Sequence, residues 1–343
     1  EVKLIFENWR KFLDEGGNVF DGKTASIPLE YIKPTLDKYR EELNKLFPLK
    51  KDVFAEFRYL GSVGKKPISG DIDLAMDATS FFRDGVVTPE GLKEWNIDPD
   101  AWQSTFDLFK RRARTRTDAE IGWRAFLTEL AKYFNEKSDM IISNIKKIGP
   151  GTMFSLFPQF NEEGEQQDIG IQIDWMVGNA DWLEFAYHSD PPSADDQFLK
   201  GLHRTQLMLA MFLIKDYTYE HISGIRKRGT RELVASSPEE TLKLLGSLYG
   251  AELTRETTNN YPALHKWLRT NASLEEYENV IGAYLKILDY TKSVKIDGEH
   301  CGYIPKDLED AWIQKQEQYG LKGKYICKDI NQKIWNHLNE TPT

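Results

Sequence analysis

The sequence predicts an α/β (α+β) fold, a mixed sheet with flanking helices followed by a C-terminal helical domain. Three observations predict it. Short runs of branched and aromatic residues, bounded by glycines and polar turns, lie in the first part of the chain. Apolar residues at three-to-four spacing fill the segments around them. The character changes at Asp190-Pro191-Pro192, beyond which the pattern is mostly helical.

Taken in order, residues 1–50 read as helices. Leu36, Tyr39, Leu43 and Leu46 form one buried face, and Gly16-Gly17 breaks the region in two. Residues 53–60 read as a strand that Gly61-Ser62 ends. Residues 71–76 read as a second strand, with Ile72 and Leu74 facing one way and Asp71 and Asp73 the other. A basic helical stretch covers 100–137. Residues 152–160 and 169–177 read as a hairpin around the polar turn 161–167. In its second strand Ile169, Ile171 and Ile173 share one face, and Gln172 and Asp174 the other. Further on, Ser193 precedes an apolar-periodic stretch through Leu202, Leu209 and Leu213. Ser237 with Glu240, and Ser273 with Glu276, match the capping box. The expected domains are therefore 1–190, containing the strands, the N-terminal helices and an inserted basic helical segment, and 191–343, helical.

A net charge of −9 argues against indiscriminate nucleic-acid binding by the whole surface, but leaves room for local basic patches. The longest apolar run, 207–214, is far shorter than the ~20 residues of a membrane span. No basic segment followed by an apolar stretch opens the chain, so no leader is expected. The two cysteines, Cys301 and Cys327, read as reduced thiols. With His300 and His337 they lack the paired spacing of a structural zinc site. The expectation is a soluble, cytoplasmic protein with no membrane partner.

The chemistry concentrates in two short segments. Alternate residues of a strand point the same way, so Asp71 and Asp73 aim two carboxylates at one point. Asp174, opposite the isoleucine face, is the best third carboxylate; Asp168 at a turn and Asp181 after Gly178-Asn179 are its competitors. Clustered carboxylates repel one another, which suggests a cation among them. Upstream, Gly61 permits close approach of the backbone to a phosphate, to which Ser62 and free N–H groups can donate. Lys65 and Lys66 add positive charge to that loop. The segment Gly61-Ser62-Val-Gly-Lys-Lys lacks the spacing of a P-loop.

Gly61-Ser62, an eight-residue spacer, Asp71-Ile72-Asp73-Leu74, and Asp174 within Ile171-Gln-Ile-Asp-Trp-Met together resemble the DNA polymerase β-like nucleotidyltransferase superfamily. The spacer is slightly short for that superfamily. The gap of about 100 residues between Asp73 and Asp174 implies an inserted helical element. The resemblance implies that Asp71 and Asp73 hold two Mg²⁺ ions, with Mn²⁺ as a substitute. It also implies that Asp174 helps activate the attacking hydroxyl, and that Gly61 and Ser62 hold the β- and γ-phosphates of an NTP. A metal-dependent transfer of a nucleoside monophosphate to an acceptor hydroxyl would follow, with the nucleotide bound between the two domains. The first expectation for the acceptor is an RNA or DNA 3′ end. A cyclic-dinucleotide or oligonucleotide synthase comes second, and nucleotidylation of a small molecule or protein third. A catalytically silent nucleotide-sensing or partner-binding module is the alternative of another class.

No Lys or Arg occurs between Lys147 and Lys200, so positive charge for the site must come from elsewhere. Lys65, Lys66, Lys200 and Arg204 are the expected suppliers; the last two lie four apart on an expected helix. The alternative for them is an ordinary exposed pair, and for neighbouring His203 a surface or boundary position. The run containing Lys110, Arg111, Arg112, Arg114 and Arg116 is either a solvated face or a nucleic-acid contact. Arg226, Arg228 and Arg231 pose the same choice, on an expected loop. Trp175, Trp182, Phe185 and Tyr187 read mainly as core or interface aromatics.

Overall fold

The computed structural model describes residues 19–20, 22–113, 116–190, 201–220, 222–290, 294–296, 299–301 and 303–308. The chain is a mixed helix-and-sheet protein. It forms two compact units, one ending at Ala186 and the other running on from Tyr187, just before the expected change at Asp190-Pro191.

The first unit is organised by a five-stranded mixed sheet. Its strands are β2 (Arg58–Tyr59), β4 (Ile72–Asp77), β5 (Ile142–Ser143), β6 (Thr152–Phe160) and β7 (Gln166–Gly178), in the order β2-β4-β7-β6-β5. Only β4 and β7 run parallel; the other pairs are antiparallel. A two-residue pair, β1 (Ile27–Pro28) with β3 (Ile68–Ser69), lies outside this sheet.

One face of the sheet is apolar. Ile72 and Leu74 of β4 and Ile171, Ile173 and Trp175 of β7 are all fully buried. They pack with α1 (Leu29–Leu46) and α5 (Asp118–Lys137) in one core. On α1 the buried Ile32, Leu36, Tyr39 and Leu43 recur at helical spacing. On α5 a capping box of Thr117 with Glu120 fixes the start, and Phe126, Leu127, Leu130 and Phe134 are buried. The strand period of two then sends Asp73, Gln172 and Asp174 to the opposite face. Ile169 stands apart from its expected partners: it is exposed, because β7 extends past the core into the hairpin end.

Residues 53–60 do not form the expected strand. Lys51–Phe54 is a 3-10 turn, and only Arg58–Tyr59 pairs with β4. The reason is tertiary. The Phe54 ring is fully buried against Phe47, Trp95 and Trp175, and its carbonyl accepts from Arg40 Nε at 2.8 Å. Packing overrides β-propensity here.

Between β4 and β5 lie α2 (Ala78–Phe81), α3 (Pro89–Lys93), α4 (Pro99–Arg112) and α5. The expected helical stretch over 100–137 consists of two helices, the second begun by its own cap. The unit closes with α6 (Ala180–Ala186).

The second unit holds α7 (Gly201–Leu213), α8 (Pro238–Tyr249), α9 (Arg255–Thr258), α10 (Tyr261–Asn271) and α11 (Leu274–Tyr290). Both expected capping boxes are made, at Ser237–Glu240 and Ser273–Glu276. The unit is not helical throughout. β8 (Tyr217–Glu220), β9 (Gly224–Lys227) and β10 (Leu233–Ala235) form an antiparallel sheet, and β11 (Val294–Ile296) pairs with β12 (Glu299–Cys301). Tyr217-Thr-Tyr carries the strand propensity that a reading for helical period passes over. Gly16-Gly17, Pro191-Pro192 and Ser193 lie outside the described residues.

Candidate metal centre

Asp73 and Asp174 are direct partners in the parallel ladder of β4 with β7. Asp71, immediately before β4, completes a cluster with them. One carboxylate oxygen from each residue lies within 4.8 Å of the other two. Asp174 is buried, and Asp71 and Asp73 are half-buried.

This packing is costly for three anions. Burial, then the charge of Asp71, holds the Asp73 carboxyl well above the ordinary carboxylate range. Burial, then the charges of Asp73 and Asp71, does the same to Asp174, and a hydrogen bond from Gln172 partly opposes it. Gln172 Nε2 donates to Asp174 Oδ2 at 2.9 Å. Asp174 Oδ1 is buried and accepts no hydrogen bond among the described residues. An orphaned anionic oxygen amid converging carboxylates fits a hard divalent cation, which takes oxygen ligands and reverses the repulsion.

The glycine turn stands against this cluster. Gly61 has φ +60°, and a Cβ placed there would sit 3.4 Å from Asp73 Oδ2. The adjoining Leu60 N–H donates to the Asp73 carbonyl at 3.0 Å, locking the turn to β4. Two further turns follow, with Val63 N–H on Leu60 O at 3.3 Å and Lys65 N–H on Ser62 O at 3.1 Å. Ser62 is half-buried, Lys65 is exposed and Lys66 is half-buried. The competitors for the third carboxylate are elsewhere. Asp168 is exposed at the start of β7, and exposed Asp181 pairs with Arg58 at 2.8 Å.

The remaining basic residues separate into three groups. Arg111 and Arg112 end α4 and Arg116 follows it; all three are exposed and have no ion-pair partner among the described residues. Their neighbour Lys110 pairs with Asp118 at 2.8 Å. Arg226 lies on a strand rather than a loop, and its Nε donates to Glu220 at 2.8 Å. Arg231 reaches the same carboxylate at 3.1 Å, and Arg228 lies 3.6 Å from Asp216. The Arg226–Arg231 segment is therefore tied into its own sheet. Arg204 is fully buried, not an exposed helix residue, and its Nε donates to Thr258 O. Burial draws its guanidinium down to about 10. Its neighbour His203 is likewise interior, 3.2 Å from Tyr303 O. The apolar sides of α7 turn both residues inward, since Leu207 to Phe212 are all buried as well. Lys200 and Arg114 lie outside the described residues. Trp175, Trp182 and Phe185 are core side chains.

The contact that sequence reasoning missed is that of Gln172. The signal was present: residues two apart on a strand share a face, and Gln172 precedes Asp174 by two.

No family model matches the chain, and no curated protein sequence matches it. Among the described residues, no helix is long and apolar enough to cross a membrane.

Proposed function

We propose that this protein is a metal-dependent nucleotidyltransferase of the polymerase β-like kind, moving a nucleoside monophosphate from an NTP to an acceptor hydroxyl. The observation that carries this reading is the convergence of Asp71, Asp73 and Asp174 within 4.8 Å beside a left-handed glycine turn. A pair of Mg²⁺ or Mn²⁺ ions held by these three residues would neutralise charge on the attacking, transferred and leaving oxygens.

The chain's own groups do the rest. The turn at Gly61 and Ser62 offers backbone N–H groups and a hydroxyl to the β- and γ-phosphates, with Lys65 and Lys66 adding charge. Asp174, the direct ladder partner of Asp73, takes the proton of the acceptor hydroxyl. The acceptor oxygen bonds to the α-phosphorus as the bond to the bridging oxygen breaks, and pyrophosphate leaves with that electron pair. A nucleic-acid 3′ end is the proposed acceptor, because Arg111, Arg112 and Arg116 are exposed cations without an ion-pair partner among the described residues.

The test is incubation with each labelled NTP, Mg²⁺ and an RNA pool. Labelled, lengthened RNA and free pyrophosphate are expected, and Asp71→Asn combined with Asp73→Asn should abolish both. Full activity in that double variant would sink the metal assignment. A labelled soluble oligonucleotide would move the acceptor to a second nucleotide, and labelled protein would make the acceptor a polypeptide. No pyrophosphate with any acceptor would leave a nucleotide-sensing module.

A further inference from the structure

We propose that Gln172 is a positioning residue for Asp174, its side-chain amide fixing which carboxylate oxygen faces Asp71 and Asp73. This role deepens the metal-centre reading and rests on it. Gln172 is fully buried and lies two residues before Asp174 on the same face of β7. Its two ends have different partners. Nε2 donates to Asp174 Oδ2 at 2.9 Å, and Oε1 accepts from the Val19 N–H at 3.1 Å.

That pairing has one sense only. A side-chain amide has a donating and an accepting end, and a backbone N–H can only donate. Val19 therefore takes the accepting end, and the end that meets Asp174 must be the donor. Flipping the amide would set donor against donor at Val19 and acceptor against acceptor at Asp174, both inside the protein. Val19 is anchored in turn: its carbonyl accepts from Asn144 Nδ2 at 3.0 Å, and Val19 packs with Phe20 and Phe154. Asp174 Oδ2 is thus engaged from one side, which stops rotation of the carboxylate. Oδ1, buried and without a hydrogen bond among the described residues, is the oxygen left for the cluster. Outer contacts of this kind set ligand orientation, and losing one weakens metal affinity roughly 10- to 100-fold.

The experiment is Mn²⁺ binding, followed by the electron paramagnetic resonance signal of the free ion, in four proteins: the full chain, Gln172→Met, Asp174→Asn and the double variant. Gln172→Met keeps the side-chain length and removes both amide ends. It should weaken Mn²⁺ binding about tenfold. In the Asp174→Asn background the same change should matter less than about twofold, because the residue acts through that carboxylate. Binding by Gln172→Met within twofold of the unsubstituted chain would overturn the role. So would an equal loss in both backgrounds, which would mark a general structural effect. If Gln172→Met does not fold, Gln172→Asn makes the same comparison with the amide drawn back by one methylene. The unsubstituted chain failing to bind Mn²⁺ would remove the metal reading and this role together. Normal binding with an indifferent Gln172 variant would remove this role alone.

Discussion

Asp73 and Asp174 sit side by side in the one parallel pairing of the sheet, on the face turned away from the aromatic core. Apolar neighbours on both strands hold that register, since Ile72 pairs with Ile173 and Leu74 with Trp175. A slip of either strand by one residue would turn its own carboxylate into the core and part the pair. The core therefore fixes the position of two like charges that would otherwise separate. Asp71 joins them from just before β4, and Gly61 stands close against Asp73.

The first prediction concerns pH. Burial and mutual charge raise the proton affinity of Asp73 and Asp174 in the folded protein. The folded state then holds protons that the unfolded state releases. Stability of the metal-free protein should therefore fall as pH rises from the ordinary carboxylate value, about 4, through the raised folded values. Mg²⁺ should restore it near neutrality, because it binds the deprotonated cluster. Thermal unfolding after chelation, at about pH 5 and about pH 7.5, with and without Mg²⁺, measures both effects. In Asp73→Asn the pH dependence should shrink and Mg²⁺ should add little. An unchanged slope in that variant would place the titrating groups elsewhere.

The faces of β4 and β7 were legible in the sequence because strand period two sorts Ile72, Leu74, Ile171 and Ile173 from Asp73, Gln172 and Asp174 without knowledge of any partner. The hairpin was legible for the same reason, with a polar turn between its arms. Residues 53–60 were misread because the decisive contact, Phe54 against Phe47, Trp95 and Trp175, joins residues distant in the chain. Arg204 was misread because charge normally signals solvent, whereas α7 is buried nearly all round. The antiparallel sheet of the second unit was missed because its strands are three or four residues long, too short to show a period.

Gly61→Ala gives a second prediction. At φ +60° an alanine would be strained by roughly 1–2 kcal/mol, whatever the space around it. Its methyl would also rest against Asp73 Oδ2, at 3.4 Å. Urea unfolding should show a loss of that size. Under the proposed function, the variant should also raise KM for the nucleotide more than it lowers kcat, because the turn is assigned to phosphate binding. A loss of kcat alone, with KM unchanged, would count against the phosphate role.

The basic residues provide the third. Among the described residues Arg111, Arg112 and Arg116 are exposed and without an ion-pair partner, whereas Arg226 and Arg231 share Glu220. If the first group meets a nucleic-acid backbone, each cation releases a counterion, and each contributes about 0.7 to the slope of log affinity against log salt on a single strand. Replacing all three by alanine should then flatten that slope by about 2 for single-stranded RNA. Arg226→Ala should leave the slope alone and instead lower thermal stability, because it leaves the half-buried Glu220 with one cation fewer. The two substitutions thus separate contact from scaffold: a flattened slope in Arg226→Ala, or none in the triple variant, would reverse the assignment of the two basic segments.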